Sequence, residues 1–274
     1  MVNTKSSNRR KAINEIIEVS PSAQYKALIS IVKDSGAFNN KFFEKCHLYG
    51  LSKEELRNYV INWYSITESF AKYGLLYTHF VAKYISENFT YESPVYKKYE
   101  KYFCEVLEIS SGEFRISKIA PREFHPRTFT RLAPKLGVRI KDLVNRSFEQ
   151  ELNPETVSLE KCIIDNFKKE KDILSGFANY FVVETIAYNI VESMDNSFGK
   201  FRAKNGEKLY TEDEKIYISE HLRLEVEHCG EVKHMLKTLD LSNDDFEHLS
   251  NEVEKLSTKF GKFWNSLLAY EKYN

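Results

Sequence analysis

"HLRLEVEH", residues 221–228, sets two histidines and two glutamates inside a strongly patterned segment. At about 100° per residue, His221, Glu225 and His228 fall within about 60° of one another on three successive helical turns. Val232, Met235 and Leu239 continue the same stripe, with Leu224 at its edge, while Arg223, Glu227, Lys233 and His234 point roughly the other way. Three metal-competent side chains therefore share the apolar stripe rather than the charged face. Polar groups so placed cost free energy unless they are paired or ligated. The segment is either a core helix with satisfied histidines or part of a metal site.

Working outward, the chain holds 10 Gly and 6 Pro in 274 residues, which leaves long stretches free of breakers and favours helices. The pattern predicts helices near 11–18, 22–35, 39–48, 52–86, 94–109, 126–135, 139–146, 155–170, 171–196, 211–238 and 243–272. "LSKEEL" (51–56) carries a capping box in Ser52 and Glu55, and "YTEDEK" (210–215) repeats it with Thr211 and Glu214. Ser242 or Asn243 opens the last helix. Pro94 and Pro126 suit first turns, and Gly137 in "KLGV" suits a helix end. "GEFRISKIA" (112–120) is the one stretch that reads as extended, and residues 199–209 read as a loop or short hairpin. The fold class is all-α, a single helical bundle spanning 19–274 behind a tail and leading helix at 1–18.

Composition bounds the function. Hydrophobic residues make up 42% and aromatics 14%, with 17 Tyr and 19 Phe, enough for a substantial core. Forty basic residues balance forty acidic ones, so no net field draws nucleic acid or an anionic membrane. No apolar run is long enough to span a bilayer, and the start lacks a signal-type apolar segment. Cys46, Cys104, Cys162 and Cys229 are scattered without CxxC spacing, which fits a reducing cytosol, so a cytoplasmic location is expected.

A metal site at 221–228 needs further ligands on other helices. Glu184, in "LSGFANYFVVETIAYNIVESM" (174–194), shares a helical face with Phe177, Tyr180, Phe181, Tyr188 and Val191. A carboxylate in that setting is paired, protonated or metal-bound. His125 precedes a helix whose Phe129, Leu132 and Leu136 form an apolar stripe. Imidazole and carboxylate without thiolate suit iron or manganese better than structural zinc. Carboxylate-bridged di-iron centres in helical bundles use this ligand chemistry.

At these residues the chain resembles the heme-oxygenase-like di-iron oxidases, a branch of the fold that also contains the TenA thiaminases and the pyrroloquinoline-quinone synthesis oxidase. That family's late H-x3-[D/E]-x2-H is matched by His221, Glu225 and His228, and its earlier Glu by Glu184. Its "HPxxFxxxxxxLG" signature is matched by "HPRTFTRLAPKLG", beginning at His125. "LRNYVINWYSITESFAKY" (56–73) resembles the early aromatic helix that walls the pocket. The resemblance covers roughly residues 20–240. It implies a sixth ligand, a Glu shortly before His125, yet the simplest alignment puts Ser110 or Ser111 there. Glu113 is the replacement and Glu108 its alternative.

The resemblance implies an enzyme: a non-heme oxidase or oxygenase that uses Fe(II), two ions in the full site, with O2 as co-substrate. Its substrate would be a small metabolite, amino-acid-derived or fatty-acid-like. Trp63, Tyr64, Phe177 and Tyr188, with Phe70, would wall the substrate pocket. Relatives of this fold often pair, so a homodimer is the one protein partner implied. The alternatives are a metal-free helical binding protein and a cofactor-independent oxidase of the same fold. Heme ligation is disfavoured because residues 11–35 contain no His, and thiaminase chemistry because Cys162 and Cys229 have no base at an evident spacing.

Overall fold

The computed structural model describes residues 23–114, 125–202, 206, 208–239 and 241–268, with the side chains of 112–114, 125–126 and 224–229 outside that description. Between its breakers the described chain is helical. Helix α1 (Ala23–Asp34) leads to α2 (Lys41–Leu48), whose N-cap Asn40 accepts from the Phe43 amide at 2.9 Å. Helix α3 (Lys53–Asn88) starts at the expected capping box. Ser52 accepts from the Glu55 amide, and Glu55 accepts from the Ser52 amide at 2.8 Å. At 1.5 Å per residue α3 is roughly 54 Å long, and its residues 58–66 are buried on every face.

Helix α4 (Pro94–Phe114) runs five residues past its expected end at 109, so 112–114 is helical rather than extended. Four of its last five residues, "SSGEF", are weak helix formers or break the apolar pattern, but buried Val106, Ile109 and Ser110 hold the helix against the core. Helix α5 (His125–Phe129) is shorter than expected. It gives way to 3-10 turns at Thr130–Leu132 and Pro134–Leu136, because Pro134 has no amide to continue an α-helical ladder. Gly137 then ends the segment in the left-handed region, φ 78°. Helices α6 (Ile140–Val144) and α7 (Pro154–Phe167) follow.

Helix α8 (Ile173–Lys200) is the axis of the bundle. It packs on α2, α3, α7 and the last two helices, and is buried on nearly every face. Arg202 and Lys208 pair in an antiparallel bridge, in the stretch that reads as a loop or short hairpin. Thr211 and Glu214 make their reciprocal capping bonds, but they close a turn; helix α9 (Ile216–Leu239) begins only afterwards. Helix α10 (Asn243–Ser266) opens at a Ser242–Asp245 capping box and buries Leu249, Val253, Leu256, Phe260 and Trp264 at helical spacing. The expected helix at 11–18 lies outside the described residues.

Two clusters lock these elements. Trp264 of α10 stacks on Phe42 of α2 (centroids 5.5 Å) and against Trp63 of α3 (5.2 Å). Arg146, in the left-handed region at φ 55°, donates to Ser65 at 2.8 Å and to the buried Glu160 at 2.7 Å, tying the loop after α6 to α3 and α7. Among the described residues no helix is long and apolar enough to cross a membrane.

Candidate functional site

A narrow pocket opens between α3, α8 and α9. Trp63 and Phe70 form its α3 wall, Val183, Ile190 and Val191 its α8 wall, and Tyr217 part of its α9 wall. Into this apolar lining come one carboxylate and one imidazole, those of Glu184 and His221, 3% and 5% exposed. The described lining carries no lysine or arginine. The few polar groups in an apolar wall are the lining pattern of a small-molecule site.

Helix geometry brings the two polar groups to the same wall. Val232, Met235 and Leu239 are buried and Arg223 is exposed, so the α9 stripe faces the core where its side chains are described. His221 is the first polar member of that stripe. Its Nδ1 lies 2.8 Å from the carbonyl oxygen of Tyr217, one turn earlier. A carbonyl only accepts, so Nδ1 carries a proton, which makes Nε2 the metal-binding nitrogen of the ring when it is neutral. Metal-bound histidines are oriented by this kind of second hydrogen bond. Glu184 reaches the pocket from the middle of α8, one turn after Tyr180.

The other expected ligands stand as follows. Glu225 and His228 lie on the unbroken backbone of α9, and Glu113 and His125 on the last turn of α4 and the first residue of α5. Their side chains lie outside the described residues. Among the described residues no group of three His, Cys, Asp or Glu is arranged to hold an ion. Glu184 and His221 alone supply one oxygen and one nitrogen donor, the types that iron takes but too few to hold it.

The alignment that implies a sixth carboxylate puts Ser110 or Ser111 at its position. Ser110 is 1% exposed; its Oγ lies 2.5 Å from the Tyr180 hydroxyl and accepts from the Thr78 hydroxyl at 2.9 Å. That position is taken up by a hydroxyl network. Glu108 is exposed on the outer face of α4.

The aromatic residues divide. Trp63 and Phe70 line the pocket. Tyr64 instead stacks on Phe129 (6.3 Å) beside the Arg146 cluster, and burial pushes its hydroxyl up to about 12. Phe177 packs edge-on against Tyr102, and Tyr188 is buried in α8; neither lines the pocket. Sequence reasoning missed Tyr217, although it sits four residues before His221 on the same stripe. It also missed Val183 and Ile190, for which α8 gave no signal. Burial raises the thiols of Cys46, to about 12, and of Cys162, so neither is poised as a nucleophile.

No protein-family model matches the chain, and no curated protein matches it significantly. Solved structures do. A TenA homolog from Pseudomonas syringae pv. tomato superposes with TM-score 0.63 at 15% identity, over 91% of this chain and 94% of that one. A domain of unknown function with a heme oxygenase-like fold, from Shewanella denitrificans, superposes with TM-score 0.55 at 13% identity, over 100% and 94% of the respective chains. The all-helical architecture around α8, with its pocket between α3, α8 and α9, is thus the heme-oxygenase-like fold shared with the TenA proteins.

Proposed function

We propose that this protein is a non-heme, di-iron, O2-dependent oxidase or oxygenase of a small metabolite. The supporting observation is the meeting of buried Glu184 and buried His221, whose Nδ1 is held by the Tyr217 carbonyl, on one wall of an apolar pocket. Glu184, His221, Glu225, His228, His125 and Glu113 would hold the metal. Bound Fe(II) would supply the electrons for O2 reduction. The chain's own contribution is to orient the ligands, to exclude water with Trp63, Phe70 and Ile190, and to hold a substrate of modest size. The apolar lining suits an amino-acid-derived or fatty-acid-like molecule whose body is hydrocarbon.

One observation favours a second reading, a metal-free helical binding protein of the same fold. The family alignment puts Ser110 or Ser111 where a carboxylate ligand would stand, and the Ser110 hydroxyl is already engaged by Tyr180 and Thr78. Anaerobic Fe(II) titration separates the two. The wild-type chain should take up between one and two equivalents, and His221→Ala and Glu184→Gln should each lower that uptake while helicity is kept. Iron content unchanged in both variants would remove the site. No uptake by the wild type would favour the binding protein.

A further inference from the structure

Tyr217 belongs to neither the expected ligands nor the expected wall, yet its position is unusually constrained. Its ring is tilted against the His221 imidazole, centroids 4.0 Å apart and planes 35° apart. Phe129 meets the same tyrosine ring edge-on at 5.1 Å and 74°. Phe129 in turn stacks on Tyr64 at 6.3 Å and 20°. All three aromatic rings are at least nine-tenths buried. A continuous column, Tyr64–Phe129–Tyr217–His221, therefore runs from α3 through the end of α5 to α9 and ends on the pocket.

We infer that Tyr217 is a positioning residue: its ring fixes the plane of the His221 imidazole, so that Nε2 is presented in one orientation. The inference rests on the pocket being the functional site proposed above. Two restraints act on the imidazole. The hydrogen bond from Nδ1 to the Tyr217 carbonyl sets the tautomer, and being a backbone contact it survives any substitution at 217. That bond alone permits rocking about the Nδ1–O line. The Tyr217 face, backed by Phe129, opposes it. A leucine at 217 would fill part of the volume without offering a flat surface, whereas phenylalanine keeps the surface.

The column also couples two parts of the proposed ligand set. Phe129 lies one turn after His125, so the packing that orients His221 also fixes α5 against α9. A merely structural Tyr217 would stabilise the fold without setting the imidazole.

The test uses the full chain labelled with 15N-histidine, metal-free, at one neutral pH, with His221→Ala to assign the signal. Wild type and Tyr217→Phe should show one His221 ring pattern, protonated at Nδ1. Tyr217→Leu should show averaged or broadened ring nitrogens. Phe129→Leu should do so more weakly, and it serves where Tyr217→Leu does not fold. In parallel, titration with Co(II) should give Tyr217→Leu a dissociation constant raised about tenfold, the usual scale for losing a group that orients a ligand, with shifted absorption bands. Tyr217→Phe should restore both. Wild-type ring signals in folded Tyr217→Leu and in Phe129→Leu would overturn the positioning role. A wild type that binds no Co(II) would instead overturn the metal site, and the ring nitrogens would still decide the role of Tyr217.

Discussion

Substituting alanine for Gly176 ought, by helix propensity alone, to stabilise α8 by up to about 1 kcal/mol. The packing predicts the opposite. A Cβ at 176 would lie 2.2 Å from Cε2 and 2.3 Å from Cδ2 of Tyr77, where an ordinary contact needs 3.4 Å or more. The ring would have to retreat by about 1.2 Å to reach even that minimum, the difference of those two distances. It has nowhere to go. Tyr77 is fully buried, with Phe167 and Tyr180 flanking it at 5.6 and 5.8 Å. Its hydroxyl donates to the Ile173 carbonyl at 2.6 Å and pairs with the Tyr102 hydroxyl at 2.7 Å. Overpacking costs about 1–3 kcal/mol, and straining two buried hydrogen bonds adds about 1 kcal/mol each. After the propensity gain, Gly176→Ala should lose about 2–4 kcal/mol. Urea unfolding followed by far-ultraviolet dichroism measures this, with Gly230→Ala as control, since a Cβ there meets nothing within 4 Å among the described residues. A Gly176→Ala protein as stable as wild type would refute the reasoning. So would a penalty undiminished in a Tyr77→Leu background, where the clash is gone.

Two further outcomes follow from the polar clusters. Glu160→Leu removes the shared acceptor of Ser65, Ser69 and Arg146, at 3.1, 2.5 and 2.7 Å. It should cost about 3–5 kcal/mol, because a partly buried guanidinium loses its closest partner, and a denaturant midpoint equal to wild type would contradict this. At the start of α8, burial would raise the Asp172 carboxyl, but its bonds from Ser175 and His248 outweigh burial and hold it below the ordinary aspartate value. A lowered folded value means that its stabilisation is full above the unfolded value, about 3.9, and is lost as pH falls through the folded one. The melting-temperature gap between wild type and Asp172→Asn should accordingly be present at about pH 5 and close below about 4. A gap that stays open or widens below about pH 4 would reverse the assignment.

What could be read from the sequence followed the one-sided helices. The α9 and α10 stripes are legible because each has a wet face, and the contrast between faces is the signal. Helix α8 has almost none, with buried residues on every side. Its period therefore could not tell which neighbours of Glu184 face the pocket. Phe177 and Tyr188 look as suitable as Val183 and Ile190, and only the packing of α3 and α9 separates them. Tyr64 and Trp63 are adjacent and diverge by about 100°, so one lines the pocket while the other joins the Phe129 column. The end of α4 was misjudged because weak formers there are held by burial of Ile109 and Ser110. Thr211 made its expected bonds but opened a turn, since capping chemistry fixes a local bond pattern and not how far a helix extends.

The walls of the pocket share a construction that bears on how it selects a ligand. Trp63 is backed by Trp264 at 5.2 Å, Phe70 by Tyr180 at 5.3 Å, and His221 by Tyr217 at 4.0 Å. Each of these rings thus rests on a second ring, of which Trp264 and Tyr180 lie outside the lining, and Tyr180 is itself held by Tyr77 and Ser110. None of these supports comes from a loop. Interiors packed this way resist small displacements, so the cavity keeps its shape whether or not it is filled. A ligand then gains little by induced rearrangement and is chosen by fit against a fixed wall, with Glu184 and His221 as the only carboxylate and imidazole of the described lining. It follows that substitutions behind the wall, at Tyr180 or Trp264, should alter which ligands fit, although neither residue lines the pocket.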